Sequence, residues 1–240
     1  MKSIFITGAS GGLGQALCER FSKDPCRIGV HVFRDISGGK RLVERLNRSA
    51  CGAALFTADL CDATAVRQMF YNLKTKWEGI DILINNAAIR EDDFLQRSKE
   101  AAWDQQIALN LSGVFYCMRE AGKIMMCQKK GHIVNISSLS AVTGRIAQSA
   151  YTASKRGLIG LSGTAAREWG PTGVQVNTVF PGFLATPMTE PLTEAQKKKI
   201  LEKNLLGLPS TLEEVSNFIH HLSMMKHVSG QTFNLDSRIG

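Results

Sequence analysis

The sequence predicts an α/β fold: a single domain built on a doubly wound parallel sheet of about seven strands, with helices on both faces. Three observations predict it. Short, nearly continuous apolar runs alternate with longer runs of helical periodicity along the whole chain, the pattern of strands buried on both faces and joined by helical crossovers. A glycine-rich loop, Gly8-Ala9-Ser10-Gly11-Gly12-Leu13-Gly14, follows directly on the first apolar run. No linker or internal repeat divides the 240 residues, a length that one domain accommodates.

Taken in order, residues 3–7 read as the first strand, and an amphipathic helix continues from the glycine loop to about Lys23. The second strand covers 28–33 and is followed by a helix over 38–49. The third covers 53–58, ends at Asp59-Leu60, and leads into a helix over 63–77. A short apolar run at 80–84 closes on Asn85-Asn86-Ala87-Ala88. One long helix is expected over 101–127, with Asn110 inside it. A fifth strand at 132–136 ends at Ser137-Ser138, a second long helix covers 149–169, and a sixth strand at 174–179 precedes Pro181-Gly182. Residues 183–210 lack strand patterning and read as a substrate-covering lid with one or two short helices. A helix over 211–223 and a strand over 231–235 complete the chain, and right-handed crossovers make the sheet doubly wound.

The composition is that of a globular protein, with 44% hydrophobic and 21% charged residues. No run of about 18 apolar residues suggests a membrane helix, and the first residues do not read as a secretory leader. A cytoplasmic protein is expected. The six cysteines form no C-x-x-C pair and the five histidines no ligand spacing, so free thiols and no metal are expected. The net charge of +8 favours acidic partners. The Lys and Arg residues are dispersed rather than interleaved with aromatics, which argues against nucleic acid. A phosphorylated cofactor or an acidic carrier protein fits the balance.

The glycine loop sits where a pyrophosphate meets a helix N-terminus. Gly8 allows the turn, Gly12 close approach of backbone to phosphate, and Gly14 close packing of helix on strand, with Ser10 and Leu13 in the same loop. The acid expected at the end of the second strand is absent. Phe33 takes its place and Arg34 follows, and a guanidinium there suits a 2′-phosphate, favouring NADP(H) over NAD(H). Asp35 is placed beyond the strand end. Tyr151 and Lys155 stand four apart on one helical face. The ammonium is expected to lower the phenol pKa toward working pH, while Ser138 holds a carbonyl oxygen beside the Tyr proton. This is equipment for reducing a ketone or oxidising an alcohol.

Together these residues resemble the short-chain dehydrogenase/reductase family over essentially the full length. The matching pieces are Thr7-Gly8-x-x-x-Gly12-x-Gly14, Asp59-Leu60, Asn85-Asn86-Ala87, Asn110, Ser138, Tyr151-x-x-x-Lys155 and Pro181-Gly182-x-x-x-Thr186. The resemblance implies a Rossmann-type fold with Asp59 meeting the adenine and Asn86 and Ala87 lining the adenosine side, beside Leu60 and Ala88. It implies Lys155 on the nicotinamide ribose, Thr186 on the carboxamide, and Asn110 anchoring a water of a proton relay.

Within the family, the stretch 83–92, Trp103, Asn110-Leu111, Phe115 and 148–151 look most similar to 3-oxoacyl-[acyl-carrier-protein] reductases. That likeness implies NADPH-dependent reduction of a carrier-bound 3-oxoacyl thioester in fatty acid or specialised acyl metabolism. It also implies a homotetramer pairing the helices 101–127 and 149–169.

Departures from that group are Ala88 for a glycine, Gly11 where a basic residue is common, and Thr172 where an arginine often docks the carrier. Lys129, Lys130 and Arg167 are candidate substitutes. Asn234-Leu235-Asp236-Ser237-Arg238 stands where the group has a glycine pair. The apolar lid residues Phe183, Leu184, Met188 and Leu192 suit an acyl chain or steroid, or are plain core. Another ketone or alcohol substrate, a non-catalytic NADPH-binding subunit and a nucleic-acid-binding protein are the competing readings.

Overall fold

The computed structural model describes residues 1–49, 51–190 and 193–238. Seven parallel strands form one sheet: β1 (Lys2–Ile6), β2 (Cys26–Val32), β3 (Gly52–Thr57), β4 (Ile82–Asn85), β5 (Gly131–Ile136), β6 (Val174–Phe180) and β7 (Thr232–Asn234). Their spatial order is β3-β2-β1-β4-β5-β6-β7. The order reverses between β1 and β4, and a doubly wound sheet opens a crevice at the carboxyl ends of such strands.

The helices are α1 (Gly12–Phe21), α2 (Ile36–Leu46), α3 (Ala63–Trp77), α4 (Glu100–Ile107), α5 (Val114–Gln128), α6 (Ser140–Thr143), α7 (Ser149–Trp169), α8 (Glu194–Glu202) and α9 (Leu212–Leu222). Side chains alternate across each strand, so Ile4 and Ile6 join one core and Phe5 the other. The first core gathers Leu17 of α1, Leu42 of α2 and Ile219 of α9. The second gathers Phe70 of α3, Met118 of α5 and Leu158 of α7. Helices therefore cover both faces, as expected.

The structure departs from the sequence reading in two places. The long helix expected over 101–127 is two helices, α4 and α5, joined by a π-helical turn at Ala108–Gly113. Asn110 sits in that turn, its side chain bonded in both directions to the Ile89 backbone. A single π-helical turn is too short to show a periodicity of its own within two flanking helical runs. The single turn α6 is likewise too short to show periodicity. Among the described residues of 183–210 there is one helix, α8, within the one or two expected, and it begins with a reciprocal capping box between Thr193 and Gln196.

A buried polar chain positions α7 on the sheet. Asn85 Nδ2 donates to Asn135 Oδ1 at 2.8 Å, Asn135 Nδ2 to Ser162 Oγ at 2.8 Å, and Thr178 Oγ1 to Ser162 Oγ at 2.9 Å. Hydrogen bonds in such surroundings are directional and costly to leave unmade, so β4, β5 and β6 fix the register of the helix that carries Tyr151. The cysteines are free thiols, Cys18, Cys26, Cys51 and Cys117 buried and Cys61 and Cys127 exposed. Among the described residues no helix is long and apolar enough to cross a membrane.

Candidate active site

A cavity of about 1430 Å³ runs along the carboxyl ends of the strands, from the glycine loop to Tyr151. The loop between β1 and α1 is held from three sides. Gly8 has φ +62°, and a Cβ there would lie 2.8 Å from Ala87 Cα. Gly14 packs against the same turn, with a Cβ position only 2.4 Å from the Gly8 carbonyl oxygen. Thr7 Oγ1 accepts from the amides of Asn86 and Ala87 at 2.9 and 3.0 Å. Asn86 Nδ2 in turn donates to the carbonyls of Thr7 and Gly8 at 3.0 and 3.1 Å.

His31, which the sequence does not single out, completes the frame. Its Nδ1 accepts from the Gly8 amide at 3.3 Å while Nε2 donates to the Ala58 carbonyl at 3.1 Å, a tautomer assigned from these partners. Burial pushes the imidazole pKa down to about 4, keeping it neutral and able to accept.

Gly11 caps α1 without a side-chain hydrogen bond, leaving the first-turn amides to an anion. Ser10, Gly12 and Leu13 line the cavity beside them, whereas Gly14 lies behind the wall. A Cβ on Gly12 would come within 3.0 Å of Thr186 Cγ2, so the loop after Pro181-Gly182 meets the glycine loop across the cavity mouth. Gly8→Ala combines a left-handed backbone with a backbone clash, and is expected to destabilise the protein by about 2 kcal/mol or more. Urea unfolding measures this; a midpoint within error of the unsubstituted protein would refute it.

Beyond the loop, Arg34 is exposed on the wall of the cavity that Asp59, Leu60 and Ala88 also line. Asp35 follows the end of β2 and caps α2, its Oδ1 accepting from the Gly38 amide at 2.9 Å. Its carboxylate is committed to a helix, as its position beyond the strand suggested. Uncapped helix amides followed by an exposed guanidinium make a donor set for a polyanion.

At the other end stand Ser138, Tyr151 and Lys155. Ser138 Oγ accepts from Ser140 Oγ at 3.0 Å. Lys155 is 2% exposed, and its Nζ donates to the Ile136 carbonyl at 2.8 Å. Burial lowers its pKa to about 8. The ammonium lies 5.7 Å from the centroid of the Tyr151 ring.

The Tyr151 phenol is surrounded by several groups that act on its pKa. Burial raises the phenol pKa; Arg90, the Ser138 hydroxyl and Arg145 pull it down, and Asp92 pushes it up. Tyr151 is therefore a protonated phenol at neutral pH. The Lys155 ammonium is turned to the Ile136 carbonyl. Asn110 lies outside the cavity wall and is fully buried; its Nδ2 reaches Ser154 Oγ at 3.4 Å, and Ser154 Oγ donates to the Tyr151 carbonyl at 2.7 Å.

The family model for short chain dehydrogenase matches residues 2–197. The chain belongs to the short-chain dehydrogenases. It is 32% identical over 237 residues to the 3-oxoacyl-[acyl-carrier-protein] reductase FabG of Staphylococcus aureus, covering 98% of this chain and 96% of that one. It is 34% identical over 231 residues to the 3-oxoacyl-[acyl-carrier-protein] reductase of a Synechocystis species, covering 96% and 94%.

In this short-chain dehydrogenase the structure also brings forward residues to which the sequence assigned no role. Arg90, Asp92, Arg145 and Arg238 line the same end of the cavity as Tyr151. Arg90, Asp92 and Arg238 lay unremarked inside quoted stretches, and no local motif marks Arg145. Of the lid residues, Phe183 and Met188 line the cavity, while Leu184, 7% exposed, also joins the first core. Leu192 lies outside the described residues.

Proposed function

We propose that the chain is an NADPH-dependent reductase of 3-oxoacyl thioesters presented by an acyl carrier protein, yielding the 3-hydroxyacyl thioester. The observation that carries this is the placement of the Ser138 hydroxyl and the protonated Tyr151 phenol at one end of a cavity whose other end is the glycine loop and Arg34. The near-full-length likeness to two carrier-protein reductases supports the substrate class.

The α1 amides with Ser10, Gly12 and Leu13 would hold the pyrophosphate, Arg34 the 2′-phosphate, and Asp59, Leu60, Asn86, Ala87 and Ala88 the adenosine. Lys155 with Tyr151 would hold the nicotinamide ribose, and Pro181, Gly182 and Thr186 the carboxamide. When bound, this cofactor supplies the hydride. Ser138 and Tyr151 hydrogen-bond the substrate carbonyl and stabilise the charge that develops on its oxygen. Tyr151 Oη then gives up its proton. The Lys155 ammonium would serve the nicotinamide ribose and the phenolate, and Asn110 would anchor a water that returns the proton.

Residues 183–210 act as the lid. Lys130 pairs with Asp81 at 2.8 Å, so Lys129 and Arg167 are the stronger candidates to meet an acidic carrier. Trp103 and Phe115, exposed on α4 and α5, suit the expected tetramer interface.

Initial rates of NADPH oxidation test the reading. Acetoacetyl carrier protein is expected to turn over at least about tenfold faster than acetoacetyl-coenzyme A or simple ketones, because carrier docking adds contacts that the free thioester lacks. Arg34→Glu is expected to reverse the preference for NADPH over NADH. Turnover confined to free ketones, or an unchanged cofactor preference, would refute the corresponding half.

A further inference from the structure

Charge at the substrate end of the cavity exceeds what hydride transfer to a neutral acyl group requires. Three guanidiniums converge there from distant parts of the chain. Arg90 comes from the loop after β4, Arg145 from the loop between α6 and α7, and Arg238 from the segment after β7. Two of them are neutralised locally. Arg90 Nε pairs with Asp92 at 3.2 Å, and Arg238 Nε donates to both carboxylate oxygens of Asp236 at 2.8 and 2.9 Å. Arg145 has no carboxylate partner within ion-pair distance among the described residues.

The loop carrying Arg145 is built to a fixed position. Asp93 N donates to the Ala147 carbonyl at 2.9 Å, and Gln148 Nε2 donates to Asp92 Oδ2 at 3.0 Å. Ala147 is held at φ +65°, a left-handed conformation that a non-glycine residue keeps only when its surroundings impose it. The same Asp92 that pairs with Arg90 therefore anchors the loop of Arg145. Burial first, and then Arg90 and Arg238, lower the pKa of Arg145, with Asp92 opposing them, and Arg90 and Arg145 both lower that of Tyr151 against its burial.

We propose that the carbonyl substrate carries a carboxylate, which enters the cluster of Arg90, Arg145 and Arg238 beside Tyr151 as the partner of Arg145. Of the three guanidiniums two already have a carboxylate partner, so one further carboxylate completes the pairing of the cluster. Arg145 is exposed at the cavity and Arg90 and Arg238 are half-buried, and bidentate guanidinium–carboxylate contacts there are direction-specific. The inference rests on the reductase reading and narrows it to acyl groups with an acid at their far end.

Matched thioesters of N-acetylcysteamine test it: 3-oxoadipyl against 3-oxohexanoyl, equal in chain length and differing by the terminal carboxylate. The unsubstituted enzyme is expected to show kcat/KM at least about tenfold higher for the acid, and Arg145→Gln to bring the ratio near one, mainly through KM. Calorimetry with NADP-loaded protein and the two reduced thioesters reads binding independently of turnover, and the same ratio is expected. Turnover of neither thioester would overturn the reductase reading, and the binding ratio then decides the carboxylate. Equal binding of acid and neutral forms, a ratio untouched by Arg145→Gln, or tighter binding of a phosphonate analogue would overturn the carboxylate assignment.

Discussion

Tyr151→Phe is expected to lower kcat by about 10²- to 10⁴-fold, the range that a positioned proton donor contributes, while NADPH affinity stays within a few-fold. The phenol oxygen is the only atom removed, and burial keeps it protonated at neutral pH. The ring itself remains wedged on α7, whose position is set by the Asn85–Asn135–Ser162 chain. Stopped-flow measurement of NADPH oxidation, with fluorescence titration of the cofactor, separates the two effects. A phenylalanine variant that turns over near the normal rate would remove Tyr151 from the chemistry.

Lys155→Met is expected to abolish most turnover and yet make the cofactor-free protein more stable. The lysine is buried with the Ile136 carbonyl as its hydrogen-bond acceptor, and burial lowers its pKa from 10.5 to about 8. A depressed lysine pKa means that folding disfavours the charged form. Below pH 8 both folded and unfolded chains are protonated and the penalty, about 3 kcal/mol, is fully present. Between pH 8 and 10.5 the unfolded chain binds more protons, so stability rises with pH until the penalty is gone. At pH 7 the methionine variant should therefore melt roughly 5 °C higher or more, and that advantage should shrink steadily toward pH 10. A variant that melts lower than the parent, or a difference independent of pH, would show that Lys155 carries no such strain. The combination is a trade of stability for function at one side chain.

Local patterns carried most of the fold. The helix at 63–77 is bounded by an Asp62 cap and a left-handed Glu78, and the helix at 149–169 by the Gln148 loop and a 3-10 turn; both were legible at their observed limits because caps and periodicity are properties of neighbouring residues. The glycine loop was legible for the same reason. What depends on where a side chain turns was not. Spacing puts Lys155 on the face of Tyr151, but the choice between the phenol and the Ile136 carbonyl is made by β5, which spacing does not describe. The arginine cluster was hidden because Arg90, Arg145 and Arg238 meet only after the sheet has assembled. The π-helical turn was hidden because a single turn is too short to show a period of its own between two helices.

The packing of α9 on α1 bears on how the chain matures as it leaves the ribosome. Arg20 Nε reaches Asn217 Oδ1 at 2.7 Å, His220 meets Asp24 at 2.7 Å, and the rings of Phe21 and His220 lie 5.0 Å apart. The face built from α3, α5 and α7 has its whole complement of residues by the end of β6. The face carrying the glycine loop keeps α1 uncovered until residues 212–222 have emerged, at synthesis rates of about 5–20 residues per second. The segment made first is thus the last to be sealed, and through that interval its apolar stripe is what a chaperone would find.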